Sequence, residues 1–161
     1  MNHRDRVASL LADGAAAHAA LLAALPPALA ASLPVDAQGV TEAIDLLATE
    51  AGLSRDERRA LVRPHAVNPA VLHARVFGPA PLARETVIAS FVEGARVRAD
   101  ALTALADTIG GEPLGRAVRE LLVRDPPPAD PAAPDAVAGL RATYAAHERA
   151  ALAIAACLDA S

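Results

Sequence analysis

The chain has no lysine and no tryptophan, one cysteine, and three aromatic rings, Phe77, Phe91 and Tyr144, in 161 residues. Three rings cannot build a pocket that stacks successive bases or sugars. A single cysteine, Cys157, excludes a disulfide scaffold. All 15 basic residues are arginines, and 19 acidic residues outnumber them, so the net charge is −4 and the pI about 5.7. That balance disfavours a nucleic-acid binder held by phosphate contacts. Intrinsic disorder is excluded by an apolar share of 53% at so low a net charge. Alternating runs of β-branched residues are missing too, so strands are not expected.

One long stretch without charge, residues 14 to 35, invites a membrane reading. It is mostly alanine, carries His18, and holds the double breaker Pro26-Pro27 at its middle, whereas a spanning helix wants about 20 strongly apolar residues in unbroken sequence. Arg4 and Arg6 make a poor secretory start, because Asp5 and Asp13 interrupt the apolar run behind them. The expectation is a cytoplasmic protein with no membrane partner.

What the sequence does have is alanine, roughly a quarter of all residues, together with leucine, and these are the strongest helix formers. Breakers divide the chain into helices expected at about Arg4 to Leu25, Asp36 to Ala51, Ser54 to Pro64, Asn68 to Gly78, Pro81 to Gly110-Gly111, Pro113 to Arg124 and Asp135 to Asp159. Asp36 is the expected N-cap of the second helix, and Gly52 follows it as a C-terminal glycine. Ser54 and Glu57 have capping-box spacing. Residues 125–135 hold five prolines and read as a stiff linker.

Three long helices carry a seven-residue apolar stripe: Val7, Leu11, Gly14, His18, Leu21 and Leu25 on the first; Ile88, Val92, Ala95, Ala99, Leu102, Ala106 and Ile109 on the long middle one; Val137, Leu140, Tyr144, His147, Ala151, Ile154 and Leu158 on the last. Such stripes are buried against each other in left-handed bundles. The expected fold is all-α: a single domain over 1–161, built as an up-down four-helix-type bundle, with extra short helices between the second and the long third main helix. It resembles ferritin-like bundles in architecture only, since no Glu has a His three residues later to form their di-iron ligand set.

Motifs for catalysis are missing: no His pair at four-residue spacing, no phosphate loop, no nucleophile elbow. Cys157 has no neighbour in sequence that would activate it. His18 and His147 fall on apolar stripes near the middle of two long helices, and Glu85 extends the stripe of the third. These three are the candidate ligands for a transition metal or haem, set against the plainer reading of core-edge histidines bonded to backbone carbonyls. His65 and His73 flank the irregular middle and read as surface residues. Arg84, Arg96, Arg98, Arg116, Arg119 and Arg124 read as a mixed-charge solvent face. Leu47, Ala48, Gly52, Leu53 and Leu61 partly match a helix-turn-helix, but Arg58 stands where an apolar residue should pack, and Asp56 and Glu57 would face phosphate.

The leading expectation is a non-enzymatic helical module that binds a protein partner or a second copy of itself, a homodimer being the commonest solution. The rival is a metal-, haem- or small-ligand-binding bundle, with scope for oxidative chemistry. A DNA-binding regulator is the third.

Overall fold

The computed structural model describes residues 1–30, 36–62 and 83–161. Every regular element among them is an α-helix: α1 His3–Ala24, α2 Pro27–Ala30, α3 Gln38–Glu50, α4 Arg55–Val62, α5 Arg84–Arg124 and α6 Ala136–Asp159. The protein is all-α. The short helix expected from Asn68, with His65 and His73, lies outside the described residues.

Local chemistry accounts for the helix ends. The Asn2 side chain accepts the Asp5 N–H at 2.8 Å and starts α1; Pro26-Pro27 stops it. The cap position of α3 is Ala37, one residue beyond the expected Asp36. Asp36 still serves this end, because its Oδ1 accepts the Ala37 and Gln38 N–H groups at 2.7 and 3.1 Å. At the other end Gly52 donates to the Thr49 carbonyl (3.0 Å) and Leu53 to the Ala48 carbonyl (3.1 Å), the two bonds of a Schellman closure. The capping box of α4 is formed both ways: Ser54 N–H to Glu57 at 2.7 Å, and Glu57 N–H to the Ser54 hydroxyl at 3.2 Å. α5 is two arms broken at Gly111, whose φ of 67° and ψ of −161° lie in a region essentially reserved for glycine. Pro113 then falls in the first turn of the second arm. Asp107 and Arg119, one on each arm, meet at 3.2 Å.

α1, α3, α5 and α6 enclose two apolar clusters. One holds Val7, Ile44, Leu47, Leu102, Leu105, Val118 and Ile154. The other holds Val87, Ile88, Phe91, Val92, Leu140 and Tyr144, with Leu21 and Leu25 packed on it. The order in which each helix visits them gives its direction. α1 runs from the first cluster to the second, whereas α3, the first arm of α5 and α6 run from the second to the first; the second arm of α5 folds back along the first cluster. The up-down alternation expected from the stripes is therefore not what the described helices show. Up-down order needs short connections, and here long stretches of chain separate α3 from α5 and the first arm of α5 from α6.

α1 and α3 cross with their backbones in contact. A Cβ on Gly14 would lie 2.5 Å from the Gly39 nitrogen, and one on Gly39 would lie 2.8 Å from the Leu10 carbonyl oxygen. At the end of α1 beside the first cluster, His3 clasps two other helices: its Nδ1 lies 2.9 Å from Asp159 on α6 and its Nε2 lies 3.2 Å from Glu50 on α3. Asp159 also accepts the His3 and Arg4 N–H groups at 2.8 and 2.9 Å, so it caps α1 from the far end of the chain.

Two outcomes follow. Gly14→Ala and Gly39→Ala should each lower stability by about 1–3 kcal/mol, because overpacking outweighs the gain in helix propensity; urea unfolding measures this, and unchanged midpoints would remove the close crossing. The clasp should be pH-dependent. Hydrogen bonds to Asp159 and then Glu50 raise the His3 imidazole above its ordinary 6.5, so its contribution is full below that value and is lost as pH rises through the raised one. The unfolding midpoint should fall between about pH 6 and about pH 8, and His3→Gln should flatten that slope.

Candidate functional site

Three of the four core helices carry a polar side chain where one apolar cluster gives way to the other. On α5 it is Arg98, between Ala95 of the second cluster and Ala101 of the first; on α6 it is His147, between Tyr144 and Ala150. On α1 it is His18, between Leu11 and Leu21. Helical spacing of three and four residues puts these groups on the inner faces, and Asp36, two residues before α3, adds a carboxylate near His18. The result is a polar layer across an otherwise alanine-rich core.

Arg98 is 4% exposed and His147 1%. The Arg98 guanidinium sits 4.7 Å from the centroid of the Tyr144 ring, over its face, so the ring quadrupole stands in for a carboxylate. The Tyr144 and His147 rings stack with centroids 6.1 Å apart. Burial makes Arg98 give up its proton more readily and pushes the Tyr144 hydroxyl above its ordinary value, and the charge and hydrogen bonding between the two side chains oppose both shifts. Asp36 is the acid whose charge reaches Arg98. His18 Nδ1 lies 3.8 Å from Asp36 Oδ2.

The layer opens to the surface through a pocket of about 340 Å³ between α1, α3 and α6. Gly14, Ala15 and His18 form one wall, Asp36, Ala37, Gly39 and Val40 the second, and Arg141, Tyr144, Ala145 and Glu148 the third. Both His18 ring nitrogens are buried without a hydrogen-bond partner, while the Tyr144 hydroxyl is buried against the Arg98 guanidinium and interacts with it. Buried polar atoms are normally paired, so a concentration of unpaired ones marks a place where another molecule, water included, belongs.

The candidate ligands separate. His18 is half-buried in the pocket wall, and His147 is buried behind Tyr144. Glu85 is exposed: the first turn of α5, Arg84 to Thr86, overhangs the second cluster, and burial begins at Val87. Among the described residues no group of three His, Cys, Asp or Glu could hold a metal ion, so His18, Glu85 and His147 do not form one. Cys157 is half-buried near Gly110.

Arg98 does not belong to the solvent face where its charge had placed it. The available signal was its spacing, three residues after Ala95 and four before Leu102. Arg58 shows why the helix-turn-helix pattern fails locally. Its guanidinium donates to the Leu53 carbonyl at 3.1 Å and lies 3.4 Å from Asp45, tying α4 to α3 by polar contacts. No family model, curated protein or solved structure matches the chain.

A buried cation without a carboxylate partner among the described residues is expensive. Arg98→Met should therefore raise stability by about 1–3 kcal/mol, whereas Tyr144→Phe, which takes the hydroxyl away from the buried Arg98, should lower it by about 1–2 kcal/mol. Unfolding curves test both. A loss with Arg98→Met, or no change with Tyr144→Phe, would overturn this account of the pair.

Proposed function

We propose that this protein is a non-enzymatic, four-helix-type binding module of the cytoplasm whose pocket between α1, α3 and α6 takes up a small organic molecule. The observation that carries the reading is a cavity walled by three helices, lined by charged and polar residues and set beside the unpaired ring nitrogens of His18. A volume of about 340 Å³ lies at the lower end of the range usual for ligand sites. Donors and acceptors are both present, as orientation and specificity require. Nothing in the pocket pairs a nucleophile with a base, which favours binding over turnover.

Self-association is the second reading, and α1 favours it. This helix is long and apolar enough to cross a bilayer by length and composition, yet of its residues Val7 and Gly14 alone are buried. From Gly14 to Ala24 it carries no formal charge. Alanines 16, 20 and 23 are exposed, and small side chains allow another helix to approach closely. A second copy is the partner that symmetry makes cheapest.

A thermal-shift screen of small polar organic molecules tests the first reading. Hits should raise the unfolding midpoint of the native chain and fail with Ala15→Leu, which fills the pocket from α1 with a good helix former. A screen without hits, or hits indifferent to that substitution, would sink it. Light scattering on the same samples separates the second reading, which a monodisperse monomer removes.

A further inference from the structure

We infer that an outer groove between α1 and α3 docks a basic amphipathic helix of a partner protein. This groove shares no lining residue with the pocket between α1, α3 and α6, and the inference does not rest on the reading of that pocket. α1 and α3 run in opposite directions and meet twice: at the Gly14–Gly39 crossing, and where the His3 ring reaches Glu50 at 3.2 Å. Between the two contacts each helix advances by the same three turns, ~16 Å. Helices that touch backbone to backbone at one point draw apart away from it. On the inner flank Val7, Ile44 and Leu47 of the first cluster fill the gap. On the outer flank it stays open as a cavity of about 560 Å³, which half-buried Leu10 and Leu46 line, one from each helix.

The rim is acidic. Glu42, Asp45 and Glu50 line the groove from α3, against Arg6 from α1. Glu50 is balanced by Arg6 at 3.3 Å and by His3. Asp45 lies 3.4 Å from Arg58, yet its side chain is 56% exposed. Glu42 meets the Gln38 amide at 2.8 Å. Asp13 is exposed on α1, three residues past Leu10 and four past Ser9, so it continues the same edge of the helix. Among the described residues neither Glu42 nor Asp13 has an ion-pair partner. The surplus negative charge therefore sits toward the glycine crossing, one acid on each helix. Leucines from two helices along ~16 Å, flanked by acids, complement a helix with apolar side chains one turn apart and lysine or arginine on its flanks. A second copy docked by two-fold symmetry would set this acidic rim against itself, which like charges oppose.

Fluorescence anisotropy tests this, with the full chain titrated into a labelled lysine/leucine peptide of about 14 residues whose leucines keep helical spacing. That peptide should bind. The same composition with the leucines shuffled off that spacing, and a glutamate/leucine counterpart, should not. Glu42→Lys should weaken binding about tenfold. Glu120→Lys, the same charge change on α5 outside the groove, should alter it by less than about twofold at physiological salt. Both glutamates are exposed, so neither substitution threatens the fold. A lysine/leucine peptide that fails to bind overturns the proposal. So does equal binding of the shuffled peptide, or an equal loss with the two variants, since either reduces the effect to diffuse charge. Light scattering that shows a dimer, dissociated by Glu42→Lys, would give the groove to a second copy and overturn it as well.

Discussion

The contact on which the arrangement depends is the crossing of α1 and α3 at Gly14 and Gly39. Two backbones meet there with no side chain between them. The consequence reaches one turn in each direction. His18 follows Gly14 by four residues, and Asp36 precedes Gly39 by three, so the close crossing is what brings an imidazole and a carboxylate to 3.8 Å. It also sets the depth of the pocket, since Gly14 and Gly39 both line it. Larger residues at the crossing would spread the helices, separate His18 from Asp36, and open the polar layer to water.

That layer is unusual for what surrounds it. Alanine and valine supply much of the core, and each buries little area, so each contributes less at roughly 25 cal/mol per Å² than a leucine or phenylalanine would. A core of that kind has little surplus stability to offset a buried cation. Arg98 is nevertheless inside, held by a ring face and by the more distant charge of Asp36. Cation–π contact recovers about 2 kcal/mol when desolvated, while burying an unpaired ion costs several. By that difference the layer costs the fold stability.

Much of the fold was legible in the sequence because its punctuation is strong. Pro26-Pro27, Gly52, the Ser54 and Glu57 pair, Gly110-Gly111 and the prolines after Asp125 each act through local backbone chemistry, which tertiary context rarely overrides. The stripe on the last helix was legible for the same reason, and it carried Tyr144 and His147 into the core where the structure has them. Helix direction was not legible. A seven-residue stripe has the same spacing in either sense, so it does not say that α3, the first arm of α5 and α6 run together. Arg98 was misread because charge was weighed before spacing, and Glu85 because a stripe extrapolated beyond the end of a helix says nothing about whether core continues beneath it. The pocket was out of reach: it needs the Gly14–Gly39 crossing, and no local pattern pairs those two glycines.

The scarcity of rings now has a structural meaning. Of the two aromatic side chains among the described residues, Phe91 and Tyr144, only the tyrosine carries a polar group. Tyr144 belongs to the second apolar cluster, lines the pocket, backs onto Arg98 and stacks on His147. Leucine at this position would pack equally well and would cost no buried hydroxyl. It would also leave the Arg98 charge without a ring and a hydroxyl to rest on. One residue therefore couples the cluster, the cation and the cavity.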